Sequence, residues 1–144
     1  MMTRRFMTAM TIAFLILGSV IGCGTPAPPA IEVSELVAGT LDLSPNVSVD
    51  EVAQALQRND VVIIDVREDY EYHTGHIPGA ELLPLGQIPD RVADIPTDVP
   101  VILVCRSGNR SGQAFDYLSQ QGFDNVHNML GGMIAWTEAG YATE

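Results

Sequence analysis

The chain has no lysine. Its seven basic residues are all arginine, set against 18 acidic ones, for a net charge of −11. A body this acidic is a poor partner for nucleic acid, whose phosphates demand a basic surface, so that class of function is excluded. There are two cysteines, Cys23 and Cys105, too few for a disulfide-stapled scaffold. The three histidines, His73, His76 and His127, are too dispersed in sequence to form a metal site, and no cofactor-binding pattern is present. Long internal repeats are absent. The longest uncharged apolar run, Thr8 to Gly22, falls short of the roughly 20 apolar residues that a spanning helix needs. What remains is a chain of 144 residues with 47% hydrophobic content, enough for one domain with an ordinary core.

Arg4 and Arg5 followed by that apolar run have the pattern of a secretory signal peptide over residues 1–22. The run ends Val20-Ile21-Gly22-Cys23, which resembles the bacterial lipoprotein signal, with valine where leucine is usual; the resemblance implies that Cys23 is lipidated and becomes the first residue. Gly24 to Ala30 is proline-rich and uncharged, an extended spacer of about 3.1 Å per residue in polyproline II geometry. Acyl chains on Cys23 would add about 0.8 kcal/mol per buried CH₂, so an exported, lipid-anchored protein on the cell envelope is expected. Losing residues 1–22 removes two arginines and no acid, leaving a charge of −13. Cys105 would then be the only thiol. An unpaired cysteine in an oxidising compartment is a liability unless its reactivity is used.

Residues 31–46 sustain neither helical nor strand period and read as linker or an accessory edge. Ser48 with Glu51 three residues later is a capping box, predicting a helix to about Arg58. Val61 to Asp65 and Val101 to Val104 read as strands buried on both faces. Ser111 to Gly122 has helical spacing at Ala114, Tyr117 and Leu118, and Asn125 to Met129 should be the last strand. Strands alternating with helices imply a parallel sheet with functional loops at the C-terminal strand ends, so Asp65 and Cys105 should share one edge.

Cys105 therefore sits between a strand end and a helix start, in Cys105-Arg106-Ser107-Gly108-Asn109-Arg110-Ser111. Backbone N–H groups converge there and the helix dipole adds partial positive charge, which favours a thiolate. Arg106 and Arg110 add two cations, and such surroundings lower a cysteine pKa from about 8.5 toward 3.5–7.5. A cysteine used only for packing would need neither Gly108 nor the arginines.

The turn Asp65-Val66-Arg67, Glu71, the motif Gly75-His76-Ile77-Pro78-Gly79-Ala80, the Cys105 loop, and Gly131-Gly132-Met133 with Trp136 resemble the single-domain rhodanese family in content and order, over about Val47 to Tyr141. The resemblance implies a single α/β domain over residues 47–144, with a central, mainly parallel sheet flanked by helices, after a tether of residues 23–46. It also implies sulfurtransferase activity of the thiosulfate:cyanide type. Cys105 would take a sulfane sulfur as a persulfide and pass it to cyanide, a thiol or a protein acceptor. Arg106 to Ser111 would surround the outer sulfur, with Arg106 and Arg110 holding a small anionic donor. Asp65, Arg67 and Glu71 read as an ion-paired support of the loop, and His76 as a hydrogen-bonded turn residue rather than a base. Met133 and Trp136 read as packing residues. A monomer is expected.

Two other functions compete. Cysteine-dependent phosphatases use a related loop with five residues between cysteine and arginine, whereas Cys105 and Arg110 enclose four. A non-catalytic scaffold lipoprotein could use the same fold, but an intact Cys105 argues against it.

Overall fold

The structure, a computed structural model, describes residues 42–144. The signal-like segment, Cys23 and the proline-rich spacer lie outside the described residues. The described chain forms a five-stranded sheet, with β1 at Asn46–Val47, β2 at Val62–Asp65, β3 at Glu81–Leu82, β4 at Val101–Val104 and β5 at Val126–Met129. The strand order is β1-β5-β4-β2-β3 and every pairing is parallel. Four helices flank it: α1 (Val49–Arg58), α2 (Asp69–Tyr72), α3 (Asn109–Gln120) and α4 (Gly132–Glu138). Two 3-10 turns, Leu85–Asp90 and Val92–Asp94, lead from β3 toward β4.

β4 is central because its side chains suit burial on both faces. Ile102 and Val104 join one apolar cluster with Val52, Ala55, Met133 and Trp136; Val101, Leu103 and Cys105 join the other with Ala114 and Leu118. All four β4 residues are inaccessible to solvent. At about 1.5–3 kcal/mol for each large apolar side chain removed from water, these two clusters fix the register. That register places Asp65 of β2 opposite Val104 of β4, so the residues after each strand, including Cys105, emerge at the same sheet edge.

The capping box forms as the sequence indicates: Glu51 N–H donates to Ser48 Oγ at 3.3 Å, and Ser48 N–H donates to the Glu51 carboxylate at 2.7 Å. Asn59 closes α1 in the left-handed conformation, φ 55°. One boundary moves. Residues 42–46, grouped with the tether on sequence, belong to the folded domain. Asn46 pairs with Asn128, Ser44 carbonyl accepts from His127 Nδ1 at 2.9 Å, and Leu43 packs on the core. Within residues 42–46 the accessory-edge alternative is what forms, and it is hard to read in sequence because a two-residue strand has no periodicity. Among the described residues no helix is long and apolar enough to cross a membrane.

Candidate active site

β4 delivers Cys105 to the sheet edge with only 1% of its surface exposed. The chain then turns through Gly108, whose φ of 92° is open to glycine at little cost, into α3. The turn wraps donors around the sulfur: Gly108 N–H donates to Cys105 Sγ at 3.1 Å and Ser111 Oγ–H at 3.4 Å. Burial acts to raise the thiol pKa. The Ser111 hydroxyl and the N–H groups of Ser111, Ser107 and Gly108 outweigh it and hold the pKa below its ordinary value. The sequence credited the arginines with much of this effect. The groups that touch the sulfur are neutral donors of the loop itself.

The arginines divide by what they touch. Arg67 folds back on Asp65 at the end of β2, with Nε at 2.9 Å and Nη2 at 2.6 Å from its carboxylate oxygens, both groups buried. The same Nη2 donates to the Gly75 carbonyl at 2.9 Å, tying the strand end to the following loop. Glu71 was grouped with this pair on sequence, but its ion-pair partner is Arg110, and its carboxylate also accepts from Glu68 N–H at 3.2 Å. The Arg110 fork donates to both Glu71 oxygens, at 2.6 and 2.7 Å, holding α2 against the first turn of α3. The bidentate contact lowers the Glu71 pKa to about 2 despite its partial burial. Residues 39 positions apart in sequence give no local signal of such a pair. Arg110 is therefore engaged before any donor arrives. Arg106 is exposed and forms no hydrogen bond or ion pair through its side chain among the described residues.

A second device that the motif reading left without a role is the Gly131-Gly132 turn after β5. Met133 N–H donates to the Cys105 carbonyl at 2.8 Å and Ile134 N–H to the Arg106 carbonyl at 3.0 Å, so the start of α4 satisfies the loop from behind. Gly132 has φ 57°, and a Cβ there would lie 2.3 Å from the Cys105 carbonyl oxygen. Only glycine fits so close an approach. Behind the loop, Met133 and Trp136 are buried.

His76 Nδ1 donates to the Tyr72 carbonyl at 3.1 Å and its ring stacks on Tyr72 at 3.6 Å between centroids. Residues near position 144 join this support: Glu144 N–H donates to His76 carbonyl at 3.0 Å, and Gly79 N–H to the Glu144 carboxylate at 2.7 Å. Ser107 and Asn109 are exposed on the loop, and Asn109 opens α3. The loop from Arg106 to Ser111 is thus assembled around Cys105, while Asp65, Arg67, Glu71 and His76 brace its surroundings. Beside it opens a cavity of about 320 Å³, walled by Arg106, Glu71, Thr74, Ile134, Thr137 and Thr143 among others. No group of side chains suited to a metal ion occurs among the described residues.

Cys105, the one cysteine among the described residues, sits with its pKa lowered at the end of a central parallel strand inside a ring of loop donors, which defines an α/β protein whose site favours negative charge on sulfur. Comparison with known proteins gives the family: residues 48–139 match the model of the rhodanese-like domain, and the chain belongs to that family. It is 48% identical over 81 residues to a sulfurtransferase of Allochromatium vinosum, covering 56% of this chain and 76% of that one. It is 40% identical over 97 residues to the thiosulfate sulfurtransferase GlpE of Pseudoalteromonas translucida, covering 67% and 91%. The crystal structure of a rhodanese-like domain protein from Staphylococcus aureus superposes with a TM-score of 0.61 at 36% identity, over 65% of this chain and 91% of that one.

Proposed function

We propose that this chain is a sulfurtransferase that carries sulfane sulfur on Cys105. The observation that carries the reading is the pair of donors on the sulfur, Gly108 N–H at 3.1 Å and Ser111 Oγ–H at 3.4 Å. They stabilise the thiolate as nucleophile, and the same ring of loop donors suits the negative terminal sulfur of a persulfide. With thiosulfate as donor, the Cys105 thiolate attacks the outer sulfur, the S–S bond breaks and sulfite leaves with the electron pair. Cyanide, a thiol or a protein thiol then attacks that outer sulfur and Cys105 leaves as thiolate. Cys105 attacks as the thiolate that the loop donors favour and cyanide attacks as an anion, so neither of these steps calls for a base; a thiol acceptor attacks as its thiolate, its proton going to solvent. Arg106 is the cation in position to meet the anionic donor, while Arg110, fixed by Glu71, shapes the loop and adds its field.

The proposal includes an envelope location, supported by the N-terminal pattern, with the domain exported, lipidated at Cys23 and carried on a proline-rich tether; it also includes a monomeric state. The test of the activity is turnover of thiosulfate and cyanide by purified protein, with Cys105→Ser as the control. Loss of thiocyanate formation in the variant is expected, and undiminished turnover would remove Cys105 from the mechanism.

A further inference from the structure

The segments that lead into β1, β4 and β5 come together at the end of the sheet opposite Cys105 and line a second cavity of about 240 Å³. Asp42 and Leu43 precede β1, Thr97 to Pro100 precede β4, and Asp124 and Asn125 precede β5, with His127 of β5 completing the wall. Asp42, Asp98 and Asp124 are exposed, and none of them has an ion pair or side-chain hydrogen bond among the described residues. The cavity has no cation of its own. No arginine lines it, the chain has no lysine, and no basic residue occurs between Arg5 and Arg58, so the stretch before Asp42 brings none.

Acidic loops alone would be an ordinary solvated surface; two buried groups in the wall make the difference. Asn125 Nδ2 donates to the Pro96 and Val99 carbonyls at 2.9 and 2.5 Å, which fixes the amide and leaves Oδ1 buried with no donor. A buried acceptor without a partner costs free energy, and a bound donor removes that cost. His127 is only 7% exposed, and because the Ser44 carbonyl can only accept, the ring proton lies on Nδ1, at 2.9 Å from it. In the neutral ring Nε2 is then an acceptor, and it has no partner among the described residues. Apart from the Thr97 hydroxyl, every unpaired polar side-chain group in the wall can only accept.

The spread of these acceptors separates two kinds of cation. A metal ion needs its ligands within about 2.0–2.6 Å of one point, and among the described residues no three acidic, histidine or cysteine side chains are placed to hold one. An organic cation carries its N–H donors on several atoms, as the acceptors are distributed here. We propose that this cavity binds a small organic cation, a short diamine or an amine bearing a guanidinium, whose N–H groups are shared among Asp42, Asp98, Asp124, Asn125 Oδ1 and His127 Nε2. The volume lies just below the range of drug-sized ligand pockets, which begins at about 300 Å³, and suits a short aliphatic ligand. The acidic domain also concentrates such cations near its surface. This site is separate from the sulfur chemistry, since it lies before β4 and Cys105 follows it.

The test titrates the purified protein calorimetrically, at fixed ionic strength, with agmatine, which carries one ammonium and one guanidinium. Two controls accompany it: bis(trimethylammonium)butane, which has the same charge and no N–H donor, and Mg²⁺. Agmatine should saturate at one per chain, and in ¹⁵N-labelled protein the side-chain amide signals of Asn125 should move along the same binding curve. Asp98→Asn and Asp124→Asn remove exposed carboxylates that the fold does not pair, and each should raise the dissociation constant about three- to fivefold. Asp116→Asn, an equal loss of charge on α3 outside the cavity, should leave it unchanged. Equal binding of the bis-quaternary ion or of Mg²⁺, or equal weakening by Asp116→Asn, would reduce the cavity to an acidic surface that collects any cation. Titration without saturation, or saturation that leaves the Asn125 amide unmoved, would also overturn the site.

Discussion

At the scale of single residues, the chemistry turns on what lowers the pKa of Cys105. The strongest of the opposing groups is the Ser111 hydroxyl, followed by backbone N–H groups. Ser111→Ala should therefore shift the pH midpoint of iodoacetamide alkylation upward, toward the ordinary thiol value near 8.5. Arg106→Gln should move it less, since that side chain makes no hydrogen bond to the sulfur. If Arg106→Gln produced the larger shift, full charges and not loop donors would be controlling the thiolate. The sequence pointed to a low pKa through the strand–loop–helix pattern and placed Cys105 correctly, but it could not rank the causes. That ranking depends on which N–H and O–H groups reach the sulfur, and spacing alone does not show it.

Glu71 is the residue whose partner sequence could not supply. Its carboxylate is held ionised by Arg110, with a folded-state pKa of about 2 against 4.5 unpaired. A lowered acid pKa stabilises the fold fully above the unpaired value, and the contribution is lost as pH falls from about 4.5 toward 2. Glu71→Gln leaves Arg110 without its counter-charge and should cost about 2 kcal/mol in chemical denaturation at pH 7. The difference between wild type and variant should shrink as the pH is lowered through that window. A pH-independent difference would mean that the pair acts by packing rather than charge.

Among elements, those with sustained patterning were legible: α1 with its capping box, the apolar β2 and β4, and α3 ending before Gly122; β5, with polar His127 and Asn128, was placed by its position after Gly122 and Phe123. Each patterned element has enough residues for an apolar pattern to repeat. β1 and β3, two residues each, were not legible, because their pairing is dictated by neighbours. Nor was the approach of α4 to the Cys105 loop, although Gly131-Gly132 marked the place. Here Gly132→Ala brings two costs together, a left-handed φ and a Cβ 2.3 Å from the Cys105 carbonyl. It should lower thermal stability by about 1–3 kcal/mol and depress sulfur transfer further than Gly122→Ala, a left-handed glycine in open space. Inserting one glycine between Gly108 and Asn109 tests the other side of the loop. It widens the Cys105–Arg110 spacing to the phosphatase count and displaces the N–H donors, so sulfur transfer should fall by about 10² to 10³ with the fold retained by circular dichroism. Unchanged transfer would show that donor placement does not matter.

Across the whole molecule, charge and location set how substrate arrives. The domain is strongly acidic, so on the proposed reading a dianionic donor would approach against the long-range field and rely on contact with Arg106 at the end. Added salt should screen that repulsion within a Debye length of about 10 Å at 0.1 M, and KM for thiosulfate should fall with ionic strength. A rise would show that local attraction dominates at all distances. The proposed anchoring rests on the N-terminal pattern and Cys23, outside the described residues. Cys23→Ser should abolish palmitate labelling and move the domain from the membrane to the soluble fraction or leave an uncleaved precursor.

The most direct measurement is the intact mass of the purified protein after exposure to thiosulfate and removal of the excess, followed by peptide mapping. A gain of one sulfur atom, located on the peptide containing Cys105 and discharged by cyanide, is expected. No gain, or a gain that persists in Cys105→Ala, would contradict a persulfide carried on Cys105.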